Sequence, residues 1–449
     1  MVRGSQGGRP YSAAQIVRSR LGLWGWLVLV LGAAALATAI AKAGQSERLL
    51  FLSTQFRPIA EAQKMRNVIL KDFTGEVEFI TSPPQPFLER LEREVQGGGV
   101  APDVIGALHS ELQPLAEIGA LMPLDALAEK VARRGMTGSL LAFGKFGSAQ
   151  QRYIPWMKAG YILVANKQAL TYLPSGADIN ALSYDQLAAW ADDLREKTGK
   201  RLLGFPAGPQ GLMHRFLEGF LYPSFTSGVV RSFRSAEAEA MWAQLSALWK
   251  SVNPNSTSYN FMAQPLLSGE VWIGFDHIAR VLDALRQEPG EFVAFPVPSG
   301  PRGRGYMPVL AGLAVLKTTR DTDGATALID YLIRPATQIA AAKGVGFLPV
   351  IDVEFEADLE PGLRIGAAAL AKTESSATAL PVLPPVDLGR HSGEFDKVFT
   401  DTFQLIVLRG QNPRAILDRQ AEILRRLLTE AGAPCWPPDP PSAGTCQVP

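Results

Sequence analysis

The first part of the chain alternates short apolar runs with segments of helical spacing. RLLFLST at 48–54 has the character of a strand, and the segment AEAQKMRNVILKDF spaces Met65, Val68, Ile69 and Phe73 as a helix does. EVEFI then predicts a second strand, PFLERLEREV a helix and DVIGAL a third strand. This order is typical of a parallel sheet whose strands are joined by crossover helices.

Polar residues follow two of these predicted strands. Thr54 and Gln55 end the first strand, and His109 and Ser110 end the third. In open α/β sheets, ligands bind at the carboxyl ends of the strands. We therefore expect both polar pairs to face the same edge of one sheet and to lie close to a bound ligand.

After residue 151, the chain again alternates predicted strands and helices. RYIPWMKAGYILVANKQAL is apolar and aromatic around Pro155, which favours a crossing strand or a hinge over a helix interior. SYDQLAAWADDLREKTG predicts a helix capped by Ser183, and VWIGF predicts a strand that meets Asp276 and His277 before another helix. GEFVAFPVPSGPRGRGYMPVLAGLAVLK predicts two strands around a loop rich in Pro, Gly and Arg.

The N-terminus has the features of an export signal. Five basic residues and no acidic residue lie among the first 43, and they surround an uninterrupted apolar run, Leu21–Ala41. Ala41 and Ala43 fit a small-residue cleavage pattern, so we favour a cleaved signal peptide. The run also has the length of a bilayer span, so an uncleaved anchor is the alternative. In both cases, the residues after 44 are expected outside the cytoplasm.

Composition narrows the classes of function. With 449 residues and 47% hydrophobic content, the chain is long enough for two or three packed cores. Its net charge is +1, and the part beyond the basic N-terminus is weakly acidic, which argues against a nucleic-acid partner. We find no zinc-binding His spacing, Gly-x-Ser-x-Gly motif, P-loop or dinucleotide fingerprint, so we expect no cofactor and no metal, and an enzyme is unsupported.

Both cysteines lie in the Pro-rich tail APCWPPDPPSAGTCQVP. In an exported chain, a local pair such as Cys435 and Cys446 most simply forms one disulfide. A metal site is the poorer interpretation, because two thiols without a nearby His cannot complete a tetrahedral shell.

Five motifs, in this order, carry a resemblance to a known family: PDVIGALHSELQPLAEIGALMPLD, YIPWMKAGYILVANKQAL, LLSGEVWIGFDHIA, VLAGLAVLK with GATALIDYLIRPATQIAAA and GFLPV, and VLRGQNPRAILDRQAEIL. Together they resemble the family 1 extracellular solute-binding proteins of ABC importers, the group that contains maltose-binding protein. The resemblance covers roughly residues 48 to 430.

The resemblance implies an α/β, two-lobed periplasmic-binding-protein fold of type II. Each lobe would be a mixed sheet flanked by helices, with hinge crossings near 156–160 and 308–312. The implied division is a signal peptide or anchor at 1–43, an N-terminal lobe at 44–157 with 308–352, a C-terminal lobe at 158–307 with 353–432, and the Pro-rich tail at 433–449.

The resemblance also implies the ligand-binding residues. They follow strands or lie at the crossings, and we expect them at Thr54, Gln55, His109, Ser110, Trp156, Tyr161, Asp276, His277, Ala311 and Gly312. At Gly312, a missing side chain would let a ligand approach the backbone. We add Gln210 of the GPQG turn as a further candidate.

Several of these residues have a structural alternative. Trp156 could be packed hinge core, and His109 could cap the following helix or bind a carbonyl group. Asp276 could be a helix cap, and Gln210 could be only a turn residue.

The implied function is capture of a small polar solute, most simply a carbohydrate or polyol, and its delivery to the transmembrane permease subunits of an ABC transporter, with the protein acting as a monomer. Sugar binders of the family usually place an aromatic residue at the loop that reads FDHI here, and often another near the PDV strand. A polyol, a glycerol phosphate, a peptide or another small polar solute therefore stays open. A membrane-anchored sensor or scaffold that uses the same fold without transport is the alternative function.

Overall fold

The structure, a computed structural model, describes residues 48–449 apart from 57–58, 98–100, 354–358, 384, 386–387 and 389–390. The predicted export signal or anchor, 1–43, lies outside the described residues. The strands are β1 Leu49–Ser53, β2 Val77–Thr81, β3 Val104–Leu108, β4 Ile154–Ala159, β5 Tyr161–Asn166, β6 Leu203–Gly204, β7 Ile273–His277, β8 Phe292–Phe295, β9 Arg304–Tyr306, β10 Val309–Ala314 and β11 Ala379–Pro381.

Two main sheets define two lobes, in agreement with the predicted fold class. The first sheet has the order β2-β1-β3-β10-β4 and the second has the order β6-β7-β5-β8, while β11 and β9 form a separate pair. In the first sheet, β1 is parallel to β2 and β3, and β10 is antiparallel to β3 and β4. In the second sheet, β6 and β7 are parallel, and β5 is antiparallel to β7 and β8.

Helices cover these sheets. They are α1 Ile59–Lys64, α2 Pro84–Val95, α3 His109–Glu117, α4 Asp125–Ala132, α5 Gly138–Phe143, α6 Tyr184–Thr198, α7 Met213–Phe216, α8 Tyr222–Thr226, α9 Ala236–Trp249, α10 Ala263–Leu267, α11 Ile278–Gln287, α12 Thr322–Leu332, α13 Pro335–Val345, α14 Pro361–Glu374, α15 Ser392–Phe403 and α16 Pro413–Ala431. A π-helical turn, Leu217–Leu221, links α7 to α8.

Local signals in the sequence explain where several helices begin and end. The hydroxyl of Ser183 accepts from the backbone N–H of Gln186 at 3.1 Å at the start of α6, and Gly199 ends that helix with φ of +71°. The last helix, α16, begins after Asn412, whose side chain accepts from the N–H of Ala415. The predicted helix capped by Ser183 is therefore confirmed.

Strand β5 lies inside the second lobe with both faces covered. Ile162 and Val164 contact the core that includes α11 and α14, while Tyr161, Leu163 and Ala165 face the core on the other side of the sheet. Alternate side chains of a strand point to opposite faces, so a strand buried on both sides is apolar throughout. This explains the unbroken apolar run YILVA.

One backbone segment carries the chain from the first sheet to the second. β4 pairs with β10 in the first sheet, and after Gly160 the chain continues as β5, which pairs with β7 and β8 in the second sheet. A return crossing lies between β9 and β10, where β10 rejoins the first sheet. Leu348 also pairs with Lys158 beside the first crossing.

The prediction of two strands around a loop at 290–317 is wrong in one respect. This segment forms three strands, and each pairs in a different sheet: β8 with β5, β9 with β11, and β10 with β3 and β4. The Pro-, Gly- and Arg-rich loop therefore connects β8 to β9 within the second lobe, and the return crossing to the first sheet comes only after β9.

The Pro-rich tail packs onto the second lobe. A disulfide joins Cys435 to Cys446, and Trp436, Cys446 and Val448 are buried in the core of that lobe. The carboxylate of Asp439 accepts hydrogen bonds from three consecutive backbone N–H groups, those of Val229, Val230 and Arg231, at 2.8–3.1 Å. None of the helices in the described part of the chain is long and apolar enough to cross a membrane.

Candidate functional site

The first wall of the cleft forms where β1 and β3 end. These strands are parallel neighbours, so the residues that follow them meet at one edge, as predicted. The hydroxyl of Thr54 donates to the carboxylate of Glu111 at 2.6 Å, and the side chain of Gln55 donates to the Thr54 hydroxyl at 3.0 Å. Glu111 also accepts from the N–H of Leu108, so the same carboxylate caps α3.

His109 lies beside this wall and is fixed by a second contact. Its Nδ1 shares a hydrogen bond with the hydroxyl of Tyr153 at 2.9 Å, and its ring stacks on Phe146 at 4.8 Å. Burial lowers the pKa of His109 to about 4, so the imidazole is neutral at neutral pH. The capping alternative does not describe His109, because Glu111 caps the helix.

The space beside Gly312 is filled by a protein side chain, whereas the sequence suggested that a ligand would approach the backbone there. A Cβ atom there would lie 2.1 Å from the ring of Tyr153, so the tyrosine ring fills the space beside Gly312. Gly312 therefore allows Tyr153 to reach His109. Ala311 is buried in β10, where it pairs with Leu108 and Met157.

The second wall is built around the start of β5 and the end of β7. Tyr161 pairs with His277 across the sheet, and its ring stacks on Phe275 at 5.6 Å. Burial raises the pKa of Tyr161 to about 12, although the positive charges of Arg215 and Arg280 oppose this shift. Tyr161 therefore has two cationic side chains nearby.

Asp276 and His277 have separate structural contacts. The carboxylate of Asp276 accepts from the N–H of Met262 at 3.0 Å and from the N–H of His277 at 2.8 Å. His277, and not Asp276, caps α11, because its Nδ1 accepts from the N–H of Ala279. Burial raises the pKa of Asp276 to about 7, against the effect of Arg280, and lowers the pKa of His277 to about 3.

Arg215 adds a positive charge that is paired with carboxylates of the second lobe. Its guanidinium lies 3.3 Å from the buried carboxyl of Glu218 and 3.7 Å from Asp396, which also lies 3.5 Å from His214. Burial by itself lowers the pKa of Arg215, but the negative charge of Asp396 raises it overall, and Glu111 of the first lobe contributes to that rise. Burial and the nearby Asp396 raise the pKa of Glu218. Arg215 and Glu111 thus lie on opposite lobes within electrostatic reach of each other.

Arg280 organises the rim of the second wall. Its guanidinium donates to the carbonyl oxygens of Gln210 and Asn260 at 3.2 and 3.1 Å, and it lies 4.6 Å from the ring centre of Phe261. Phe261 is 50% exposed. The backbone of Gln210 is fixed, since its N–H also donates to the side chain of Asn260, while its side chain is exposed.

A chain of rings connects the two walls at the base of the cleft. Phe56 lies 5.9 Å from Phe347, and Phe347 lies 6.0 Å from His277. His277 in turn lies 5.3 Å from Tyr161. Phe56 has φ of +59°, a strained value for a residue other than glycine.

The structure separates the predicted residues into two groups. Thr54, Gln55, Tyr161 and His277 lie near the facing walls, and Ser110 is half-buried at the start of α3. Trp156 lies instead in the first core, 1% exposed and between Phe51 and Phe56, as the packing alternative for this residue anticipated.

Sequence reasoning missed four residues that define the site: Glu111, Arg215, Phe261 and Arg280. Glu111 directly follows the predicted Ser110, and Arg280 lies three residues after the predicted His277, so the helix starts after the ALH and FDH segments carried a usable signal. No signal in the sequence marked Arg215, because it lies inside a mostly apolar helical segment and follows no predicted strand.

The walls offer hydrogen-bond donors and acceptors without a metal centre. Among the residues that the structure describes, no group of three or more His, Cys, Asp or Glu side chains could hold a metal ion. A carboxylate, two guanidinium groups, a hydroxyl and an amide can together bind a polar solute from both sides.

A two-lobed α/β protein with polar walls facing across a crossing strand is the architecture of the type II periplasmic binding proteins. The family model for bacterial extracellular solute-binding proteins matches residues 59–339. The chain belongs to this family, which confirms the resemblance and the extracytoplasmic location that it implies. The family is one of binding proteins. A search of curated protein sequences finds no significant match.

Solved structures share the fold over most of the chain. Maltose-bound MalE3 of T. maritima is 17% identical, with a TM-score of 0.67 over 85% of this chain and 100% of that chain. A solute-binding protein of Agrobacterium vitis with bound D-mannitol is 15% identical, with a TM-score of 0.67 over 86% and 99%. UgpB of Mycobacterium tuberculosis in complex with glycerophosphocholine is 18% identical, with a TM-score of 0.64 over 86% and 99%.

Proposed function

We propose that the protein captures a hydroxyl-rich solute, a carbohydrate or a polyol, between its two lobes. The observation that carries the proposal is that each lobe holds hydrogen-bonding and charged side chains beside the crossing: Thr54 bonded to Glu111 on the first lobe, and Arg215 paired with Glu218 on the second. A sugar or polyol hydroxyl both donates and accepts hydrogen bonds, so it can link a carboxylate to a guanidinium. Similar folds that hold maltose and D-mannitol support this solute class.

Phe261 supplies the aromatic surface that the FDHI loop lacks. Half of its side chain is exposed, and Arg280 holds the adjacent loop. A flat apolar ring can stack on the apolar face of a pyranose, while Arg280 donates to its hydroxyls.

In the proposed role, the protein binds its solute and does not convert it chemically. The loaded protein would deliver its solute to the membrane subunits of an ABC permease and would act as a monomer. The segment at 1–43 would be removed on export or, if retained, would tether the protein to the membrane. Sequencing the N-terminus of the exported protein distinguishes these two states.

A thermal-shift screen of the exported protein tests the proposal. Maltose, D-mannitol, glycerophosphocholine, amino acids and short peptides are the probes. A ligand at a hundredfold excess over its Kd should stabilise the fold by about 2.7 kcal/mol, enough for a clear rise in Tm. We expect the rise with a sugar or polyol, and we expect Arg215→Lys to weaken that binding by about tenfold, since one ammonium cannot replace the guanidinium fork.

Arg195→Lys is the matched control, because Arg195 is half-exposed and forms its ion pairs with Asp192 and Glu196 of its own helix, α6. If Tm rises only with amino acids or peptides, the solute is of that class and not a carbohydrate or polyol. No rise with any probe would favour a sensor or scaffold role for the same fold.

A further inference from the structure

A cavity of about 390 Å³ lies between the first lobe and the Pro-rich tail that packs on the second lobe. The first lobe contributes His109, Gln113, Phe143 and Phe146, and the Pro-rich tail contributes Trp436 and Pro437. We call this cavity the tail pocket. His109 and Glu111 lie two residues apart at the start of α3, so the tail pocket and the central cleft, the space between the two walls, flank the same helix start.

The tail is held in a fixed position on the second lobe. The disulfide closes it, and the N–H of Cys446 donates to the carbonyl of Ala433 at 2.8 Å. Asp439 fastens it to three backbone N–H groups, and Trp436 packs against Phe395 at 5.5 Å. The wall that it presents to the first lobe is therefore preorganised, which lowers the entropy cost of binding.

The lining of the tail pocket combines aromatic rings with a few polar groups. Phe143 and Phe146 are half-buried, and Phe146 has φ of +48°, a strained value that places its ring on His109. Nδ1 of His109 is used by Tyr153, and within the described parts of the chain Nε2 has no hydrogen-bond partner. The amide of Gln113 donates to Glu117 and leaves its carbonyl oxygen without a protein donor among the same residues.

Aromatic faces together with isolated hydrogen-bonding atoms suit one kind of group. The C–H face of a pyranose packs on aromatic rings, and its hydroxyls need hydrogen-bond partners at the edge. An acyclic polyol lacks the flat apolar face, and a free ion lacks any apolar surface.

We propose that the tail pocket binds the second ring of a disaccharide or longer saccharide whose first ring occupies the central cleft, and that the disulfide-closed tail is part of the binding site. This inference rests on the proposed function. It makes the residues after 432, which follow the segment of family resemblance, a determinant of solute length.

Isothermal titration of the exported protein with maltose, D-glucose and D-mannitol tests the inference. The wild-type protein should bind maltose at least about tenfold more tightly than glucose, because only maltose reaches the tail pocket. Phe146→Ala and Trp436→Ala should each weaken maltose binding by about tenfold and leave the Kd for glucose unchanged.

Trp272→Ala is the matched control, since Trp272 precedes β7 at the end opposite His277 and packs near Tyr172. Trp436 is buried, so its replacement could lower Tm. In that case Phe146→Ala, a change in a half-buried residue of the other lobe, decides the test.

The outcomes separate the two proposals. Binding of glucose or mannitol with equal or weaker binding of maltose would overturn the tail pocket and leave the proposed function intact. Unchanged maltose binding in Phe146→Ala would overturn it as well. Binding of none of the three sugars and polyols would overturn the proposed function, and the tail pocket with it.

Discussion

At the scale of single residues, several titratable side chains are held in uncharged states by burial. His277 is 9% exposed, caps α11 and contacts the rings of Tyr161 and Phe347. Such a histidine is stabilised as the neutral form in the folded chain, while the unfolded chain has no such preference. Its contribution to stability therefore depends on pH.

We predict that His277→Asn removes part of the acid sensitivity of the fold. The folded pKa of His277 is about 3, against about 6.5 for an unperturbed histidine, so between these limits only the unfolded chain takes up the proton. As pH falls through this window, this group costs about 1.4 kcal/mol of unfolding free energy per pH unit. Asparagine keeps a capping oxygen and does not titrate.

Urea unfolding of both proteins at a series of pH values checks this. The wild-type protein should lose stability relative to His277→Asn as the pH falls from about 6.5 to about 4. Parallel stability curves over that range would show that His277 is protonated in the folded state.

Residue-level features of the site were predictable only where a strand end marked them. Thr54 and His109 were found because polar residues follow buried strands. Arg215 and Phe261 were not, because their placement depends on how loops and helices far apart in sequence pack against each other. The purpose of Gly312 was equally hidden, since Tyr153 lies more than 150 residues earlier.

At the scale of elements, the Pro-rich tail is the least ordinary part of the chain. It has little regular structure, yet it contributes buried side chains to the second core. A backbone that cannot pair in a sheet must satisfy its polar groups in other ways, and here the N–H of Cys435 donates to the hydroxyl of Ser442 and the N–H of Cys446 donates to the carbonyl of Ala433. The tail therefore behaves as a fixed part of the lobe.

We predict that replacing both cysteines, Cys435→Ser with Cys446→Ser, destabilises the protein by roughly 3 kcal/mol. In the chain-entropy model, a bridge across a separation of 11 residues removes about this much free energy from the unfolded chain. Thermal unfolding should show a lower Tm for the double variant. A reducing agent should lower the Tm of the wild-type protein only, and an equal effect on both would contradict the role of the bridge.

Element order was predictable, but element pairing was only partly so. The first three strands and their helices were read correctly, because neighbouring segments there form neighbouring strands. The segment 290–317 was predicted to form two strands around a loop, although it forms three strands, β8, β9 and β10, which pair in three different sheets. The pattern of apolar residues marks a strand as buried, but it does not identify the neighbouring strand with which it pairs.

At the scale of the whole molecule, two backbone crossings join the lobes, and each lobe carries charged side chains near these crossings. Strand β4 passes into β5 at Gly160, and the return crossing precedes β10. The negative charge of Asp396 raises the pKa of Arg215 on the second lobe, and the negative charge of Glu111 on the first lobe adds to that rise. Opposite charges on two hinged bodies favour the closed arrangement, and they do so less at high salt.

We predict that Glu111→Gln shifts the ligand-free protein toward an open arrangement. Glutamine keeps an oxygen that can accept from Thr54 and from the N–H of Leu108, so α3 stays capped while the charge is lost. The radius of gyration from small-angle X-ray scattering should rise in the variant at low salt. At high salt, where screening weakens the attraction in the wild-type protein, the two radii should converge.

Glu117→Gln on the same helix is the matched control, because Glu117 is exposed, bonds to Gln113 and carries the same charge change. Its radius of gyration should equal that of the wild-type protein at every salt concentration. If Glu111→Gln also leaves the radius unchanged at low salt, the attraction between Glu111 and Arg215 does not set the closure of the free protein. Closure would then depend on the solute alone, which would have to supply all of the free energy that joins the lobes.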